Sequence, residues 1–255
     1  MKNVTLISDW KLLDPYMAMF KGRILSAIPD AKLIDITHAI ERHNLYQTAV
    51  LLQGSYSAFA PGTVHLVLTS VENCHQGNPV WLKFDDHYFI GDDNGILSML
   101  VKDEDCECRC YAEEELAPAS FLNKMIQLLV WHFEGTLEQH TTSWERRDVI
   151  SPIPDVVVSE HQICGHIIYI DACCNAITDI PTDLFLNTLN GKPFTAKLPD
   201  CLAPLNITQY FRNYQKNDNV YLTSNMLGYL EITLHLSHVA ILAGLKIGNE
   251  IVIEF

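Results

Sequence analysis

Val4-Thr5-Leu6-Ile7-Ser8-Asp9 decides how the first half of this chain is built. Four β-branched or leucine residues stopped by a hydroxyl and a carboxylate are too short for a helix. Their lack of polar alternation marks a strand covered on both faces. Strands of that kind end at the carboxyl edge of an α/β sheet, where ligands are held, so Asp9 is a candidate site residue. On residue type alone, a turn or helix cap is an equally good role for it.

Outward from that strand, Asp14-Pro15 reads as an N-cap with a first-turn proline, and Tyr16, Met19, Phe20 and Ile24 continue at helical spacing toward Ile28. The unit recurs. Lys32–Ile36 is strand-like, Asn44 can cap a helix running to about Ser57, and Val64–Leu68 is a third apolar strand after the turn at Pro61-Gly62. Val80–Phe84 and His87–Ile90 read as a hairpin, and Asp93-Asn94-Gly95 as a turn. Phe121, Met125, Leu128, Leu129 and His132 place a last helix over Ser120–Phe133. Strands alternating with helices predict a mostly parallel, three-layer α/β domain over residues 1–137.

Residues 138–158 turn polar and carry prolines at 152 and 154, the composition of a linker. Beyond it, Gly165–Ile170, Ala176–Ile180, Thr195–Leu198, Val220–Leu222, Gly228–Thr233 and Glu250–Phe255 are short strands between turns. That spacing predicts a smaller C-terminal β-barrel domain over 159–255.

The 255 residues carry 31 acidic against 17 basic side chains, a net charge of −14, which works against a phosphate backbone as partner. No apolar run reaches the roughly 20 residues of a membrane helix, and Asp9 interrupts any signal-peptide core, so neither a membrane nor a nucleic-acid partner is expected and the expected location is cytoplasmic. Among the eight cysteines, Cys106, Cys108 and Cys110 alternate and Cys173 adjoins Cys174. Neither pattern is a disulfide framework or a zinc-ligand spacing; reduced thiols, the first three on the edge of a strand, are expected, with no metal and no cofactor.

Several short motifs follow one another in the first half: Ile7-Ser8-Asp9, Asp14-Pro15-Tyr16, Lys21-Gly22, Asp35-Ile36-Thr37-His38, Gly62-Thr63-Val64-His65, and Gly91 with Asp93-Asn94-Gly95. In the second half, Tyr169-Ile170-Asp171, Asn175, Thr178-Asp179-Ile180, and Asn225 with Gly228-Tyr229-Leu230-Glu231-Ile232 continue the series. In this order they resemble the S-adenosylmethionine (SAM) hydroxide adenosyltransferase family, which also contains fluorinating and chlorinating enzymes. The resemblance implies a homotrimer with sites between one subunit's first domain and its neighbour's second. It also implies cleavage of SAM at the ribose C5′ carbon, giving adenosine and methionine.

On that resemblance Asp9 holds the ribose hydroxyls, Asp171 contacts the methionine ammonium, Asn175 reads adenine, and Asn225 completes the ligand set. The Asp-Arg-His set that activates water in hydroxide-using members is missing. Ser70 takes the Asp position, Gly77 or Asn78 the Arg position, and Phe121 or Leu122 the His position. Glu72, Cys74 and His75 are possible substitutes in the diverged loop. Two readings follow: a divergent enzyme acting on SAM or adenosine, or a non-catalytic nucleoside-binding or assembly protein on the same fold. For Asp171 and Asn175, turn chemistry between two strands is the rival role.

Overall fold

The computed structural model describes residues 2–71, 78–101, 105–111, 120–145, 152–153, 155–199 and 205–255. The chain divides into two compact units, Met1–Ile150 and Ser151–Phe255.

The first unit is built on a seven-stranded sheet of order β2-β1-β3-β5-β4-β6-β7. Its elements are β1 (Lys2–Ser8), α1 (Tyr16–Ala27), β2 (Ala31–Thr37), α2 (Leu45–Ser55), β3 (Val64–Leu68), β4 (Val80–Phe84), β5 (His87–Gly91), α3 (Ile96–Val101), β6 (Glu107–Tyr111), α4 (Phe121–Glu134), α5 (Leu137–His140) and β7 (Thr141–Ser143). The ladders joining β2, β1, β3 and β5 are parallel, and those joining β5, β4, β6 and β7 are antiparallel. The parallel ladders belong to the half that carries Asp9, and the expected hairpin of β4 and β5 opens the antiparallel half. The antiparallel half begins where β4 and β5 meet across the two-residue turn Asp85-Asp86, both with positive φ.

Alternation along the strands sends side chains to both faces, which yields three layers. Val4, Leu6, Val64, Leu66 and Leu68 pack against Phe20 and Ile24 of α1 and Met125, Leu128 and Leu129 of α4. Ile7 and Val67 join Ala49 and Leu52 of α2 and Ile96, Leu97 and Leu100 of α3 on the opposite face.

Asn44 caps α2 by accepting the Gln47 N–H at 2.9 Å. Ser120 caps α4 through the Asn123 N–H, and α4 ends on Gly135 in the left-handed region. Asp14, by contrast, makes no cap: α1 starts from Pro15 without a side-chain hydrogen bond. Met17, Phe20 and Ile24 form its buried face, while Tyr16 and Met19, expected on that face, stand exposed.

Cys108 and Cys110 lie buried on β6, an interior strand that pairs with β4 and β7, and share the apolar side of the strand expected of their alternation. At the start of the expected linker, α5 and β7 run from Leu137 to Ser143, and β7 adds to the first sheet.

The second unit is a nine-stranded sheet, β12-β11-β16-β9-β10-β15-β14-β13, with β8 against β9. Its elements are β8 (Val157–Val158), β9 (Gln162–Ile170), β10 (Ala176–Pro181), α6 (Thr182–Leu189), β11 (Thr195–Leu198), β12 (Leu205–Ile207), β13 (Tyr210–Phe211), β14 (Tyr221–Ser224), β15 (Tyr229–Thr233), α7 (Val239–Ala243) and β16 (Glu250–Glu254). The first half of β9 pairs with β16 and the second half with β10, so one strand serves two ladders and the sheet curls about it. Curling requires a close approach at Gly165. A Cβ there would overlap Asp179 Oδ1 and stand 2.5 Å from Ile180 Cγ1. Ile163, Ile167, Ile180, Phe185, Leu230 and Ile251 are among the residues that fill the core.

Candidate functional site

A chain of polar contacts fixes the edge on which Asp9 stands. Lys21 Nζ lies 2.6 Å from Asp35 Oδ2, Asp35 Oδ1 lies 3.0 Å from His38 Nε2, and His38 Nδ1 meets the Ser8 hydroxyl at 2.7 Å. Desolvation raises the Asp35 pKa, but hydrogen bonds from Lys21 and His38 outweigh it and leave the carboxyl below its ordinary value. The ends of β1 and β2 are thereby tied to the middle of α1.

Asp9 follows directly. Its side chain is only 5% exposed, and Oδ2 accepts two backbone N–H groups, from His43 at 2.9 Å and from Ser70 at 3.2 Å. One carboxylate oxygen thus joins the loop before α2 to the loop after β3. The other oxygen, Oδ1, has no hydrogen bond among the described residues. Ser70 Oγ lies 3.1 Å from His43 Nδ1, and that nitrogen is 4.0 Å from Asp9 Oδ2.

The backbone around this carboxylate is unusual. Lys11, His43 and Ser70 have φ of 63°, 60° and 61°. Left-handed non-glycine residues cost about 1 kcal/mol or more each and concentrate at functional sites. Here Lys11 is held by its N–H to His38 O at 2.9 Å, and the other two by Asp9 itself. Thr69, just before Ser70, is fixed from both sides by the Thr48 hydroxyl at 2.9 Å and by Asn94 Nδ2, which donates to its carbonyl at 3.3 Å.

Beside Asp9 opens a cavity of about 620 Å³, walled by Trp10, Tyr16, Met19, Phe20, Arg23 and Leu122 among others. It is mainly apolar with a few polar groups, the character of a small-molecule site. Trp10 Nε1 is buried with no acceptor among the described residues. Tyr16 and Met19, displaced from the core face of α1, line this cavity instead. Leu122 stands at its wall, one of the two positions at which the family resemblance put an imidazole. Asn78, the alternative to Gly77, accepts from Lys124 Nζ at 2.7 Å. Glu72, Cys74, His75 and Gly77 lie outside the described residues.

In the second unit, Asp171 and Asn175 sit in the turn between β9 and β10. Asp171 Oδ1 accepts the N–H groups of Cys173 and Asn175 at 2.9 and 2.8 Å, and Oδ2 accepts from Asn175 Nδ2 at 3.2 Å. Asn175 Oδ1 takes the Thr233 hydroxyl at 2.8 Å. Both side chains are therefore engaged in shaping the turn. Asn225 Oδ1 accepts the N–H groups of Leu227 and Tyr229, but its buried Nδ2 has no acceptor among the described residues.

Glu231, on β15, is 2% exposed and receives the Tyr214 hydroxyl. Burial raises its pKa, with the charge of Asp171 adding to the effect.

His43 does not appear among the residues read from sequence, and Glu231 appears only inside the motif Gly228–Ile232, with no role of its own. For Glu231 the strand alternation was the available signal; for His43 there was none, because its partner is 27 residues away.

These features define a two-domain α/β protein with a carboxylate at a strand's end beside an apolar cleft, followed by a curled, mainly antiparallel unit. Models of the SAM hydroxide adenosyltransferase N-terminal and C-terminal domains match residues 4–162 and 165–252, and the chain belongs to that family. It is 29% identical over 103 residues to an (R)-S-adenosyl-L-methionine hydrolase of Methanocaldococcus jannaschii, a stretch spanning 39% of each protein. Among solved structures, an uncharacterized conserved protein from Thermotoga maritima superposes with a TM-score of 0.83 at 23% identity, covering 99% of this chain and 100% of that one. A conserved hypothetical protein from Thermus thermophilus gives 0.73 at 18%, covering 98% and 99%. Those two likenesses establish the fold. No described helix is long and apolar enough to cross a membrane.

Proposed function

We propose that this chain cleaves SAM by attack of water on the ribose C5′ carbon, releasing adenosine and methionine. The observation that carries the reading is the Asp9 carboxylate. It is held rigidly through Oδ2 and lines the cleft, and its second oxygen is without a hydrogen bond among the described residues. A buried carboxylate so placed is a suitable acceptor for a cis-diol. Family membership and the hydrolase activity named for the Methanocaldococcus relative support the same substrate.

Copies of the chain would associate, as a homotrimer, to complete the site. Exposed apolar side chains support association in each unit considered by itself. Leu12, Leu13, Tyr16 and Met19 are more than half exposed in the first, as are Met226, Leu236, Ile241 and Leu242 in the second. Asp171, Asn175 and Asn225 would then serve a neighbour's cleft, with Asn225 Nδ2 as the available donor.

A second reading, a nucleoside-binding or assembly protein without turnover, is favoured by Leu122, an isobutyl group at the cavity wall that can move no proton. Incubating the protein with SAM, adenosine and methylthioadenosine separates the two. Adenosine and methionine detected by mass, with a raised melting temperature, support hydrolysis. A melting shift with SAM intact supports binding alone. Neither shift nor product removes both.

A further inference from the structure

Resting on the hydrolase reading above, we propose that Ser70 and His43 together replace the missing water-activating set: Ser70 touches the attacking water and His43 accepts its proton from behind. Ser70 stands at the end of β3, where hydroxide-using members carry the Asp, and in sequence that exchange reads as a loss of function. The geometry returns a partner to it. Ser70 Oγ and His43 Nδ1 are 3.1 Å apart, a hydrogen bond. Both residues also give their backbone N–H to one oxygen of Asp9. The pair is thus fixed, by its own main chain, to the carboxylate that would hold the ribose.

With the imidazole proton on Nε2, Nδ1 accepts the Ser70 hydroxyl, and Ser70 Oγ can accept from a water. As that water attacks C5′, the new O–C5′ bond forms and the C5′–S bond breaks, its electron pair passing to the sulfonium sulfur, which leaves as the neutral thioether of methionine. One water proton moves to Ser70 Oγ while the Ser70 proton moves to His43 Nδ1. The His43 side chain, 40% exposed, passes the proton on to solvent. The second water proton stays on the oxygen as the 5′-hydroxyl of adenosine.

Two alternatives fail on chemistry. Direct attack by Ser70 Oγ on C5′ would leave a seryl ether, a bond too inert for the described residues lining the cleft to break. A serine–histidine–carboxylate relay needs the carboxylate on the imidazole nitrogen opposite the serine, whereas Asp9 and Ser70 both face Nδ1.

Glycine variants test this with little backbone disturbance, because both residues already sit near φ +60°, where glycine is at ease. His43→Gly and Ser70→Gly keep the N–H groups that bind Asp9 and delete only the side chains. Each is expected to lower kcat for adenosine release about 100-fold, with KM and the adenosine-induced melting shift within about twofold of the parent. Added imidazole should recover at least about tenfold of that loss in His43→Gly and none in Ser70→Gly.

An unchanged kcat in His43→Gly overturns the inference and leaves the hydrolase reading intact. Imidazole that rescues neither variant, or both alike, overturns it too. A parent protein that binds adenosine yet releases none from SAM removes the hydrolase reading, and this proposal with it.

Discussion

Replacing Asp9 separates its two jobs, tying loops and accepting a ligand, because Asn and Ala remove different parts of the carboxylate. Oδ2 accepts N–H groups at 2.9 and 3.2 Å from two residues held in the left-handed region. A hydrogen bond to a charged group contributes about 1.5–3 kcal/mol, and the longer one sits at the low end. Asp9→Ala should therefore cost about 3 kcal/mol in the first unit, or about 6–12 °C in Tm at 2–4 °C per kcal/mol.

Asn can turn its amide oxygen toward the same two donors, so Asp9→Asn should cost only about 1 kcal/mol. Its NH2 then occupies the Oδ1 place, where a ribose diol needs an acceptor. Adenosine affinity should fall about 30-fold, roughly 2 kcal/mol, in a protein that remains folded. All four tryptophans, at 10, 81, 131 and 144, lie in the first unit, so tryptophan fluorescence reports its unfolding alone. Calorimetric titration with adenosine reads the binding. An Asn variant that binds adenosine as tightly as the parent would make Asp9 a loop tie and nothing more, and an Ala variant that melts like the parent would refute even the tie.

Acid should destabilise the first unit before the ordinary carboxylates protonate. Burial lowers the His65 pKa to about 3, helped by the charge of His87, and burial alone lowers that of His132 to about 4. Both pKa values lie below the unfolded value, so their contribution is complete above about pH 6.5 and is lost as pH falls, on the order of 3 kcal/mol for His65 by pH 4. Fluorescence-detected urea midpoints that stay flat from pH 7 to 4.5 would contradict this. Gly165→Ala should destabilise the second unit by about 1–3 kcal/mol, since its methyl group meets Asp179 and Ile180; hydrogen exchange of β9 and β10 amides measures it, and unaltered protection would refute it. Iodoacetamide should label exposed Cys173 while sparing Cys108, whose thiol is pushed up to about 12 chiefly by burial; peptide mass mapping that finds Cys108 labelled first would be the contrary result.

Much of the architecture was readable where local chemistry is decisive. Val64–Leu68 coincides with β3, Asn44 caps the helix it was expected to cap, and α4 falls within the expected Ser120–Phe133 region to within a residue at its end. Elements of four to eight residues such as α3, α5, α6 and α7 were not readable, because so short an apolar segment does not separate a helical period from a strand. Asp14 failed as a cap because the chain from Asp9 to Pro15 is shaped instead by Lys11 donating to the His38 carbonyl, a tie made across 27 positions. Of the site, Asp9 could be read from the end of its strand. His43 could not, since its meaning depends on Ser70 arriving from another loop. Asp171 and Asn175 were found at the turn, but only coordinates reveal that most of their polar atoms are already engaged there.

The dual service of β9 makes the frame of the second unit intolerant of insertion. Its first five residues are registered against β16 and its last residues against β10, and the Asp171 turn follows at once. One extra residue after His166 would invert which side of the ribbon each later side chain faces, sending Ile167 toward solvent and carrying the Asp171 corner to the far side. The unit thus behaves like a vernier, in which a polar turn is aimed by counting from a kink several residues upstream. Length variation among relatives should fall in the connections outside β9, and an alanine inserted after His166 should abolish adenosine binding more completely than any single replacement within the turn.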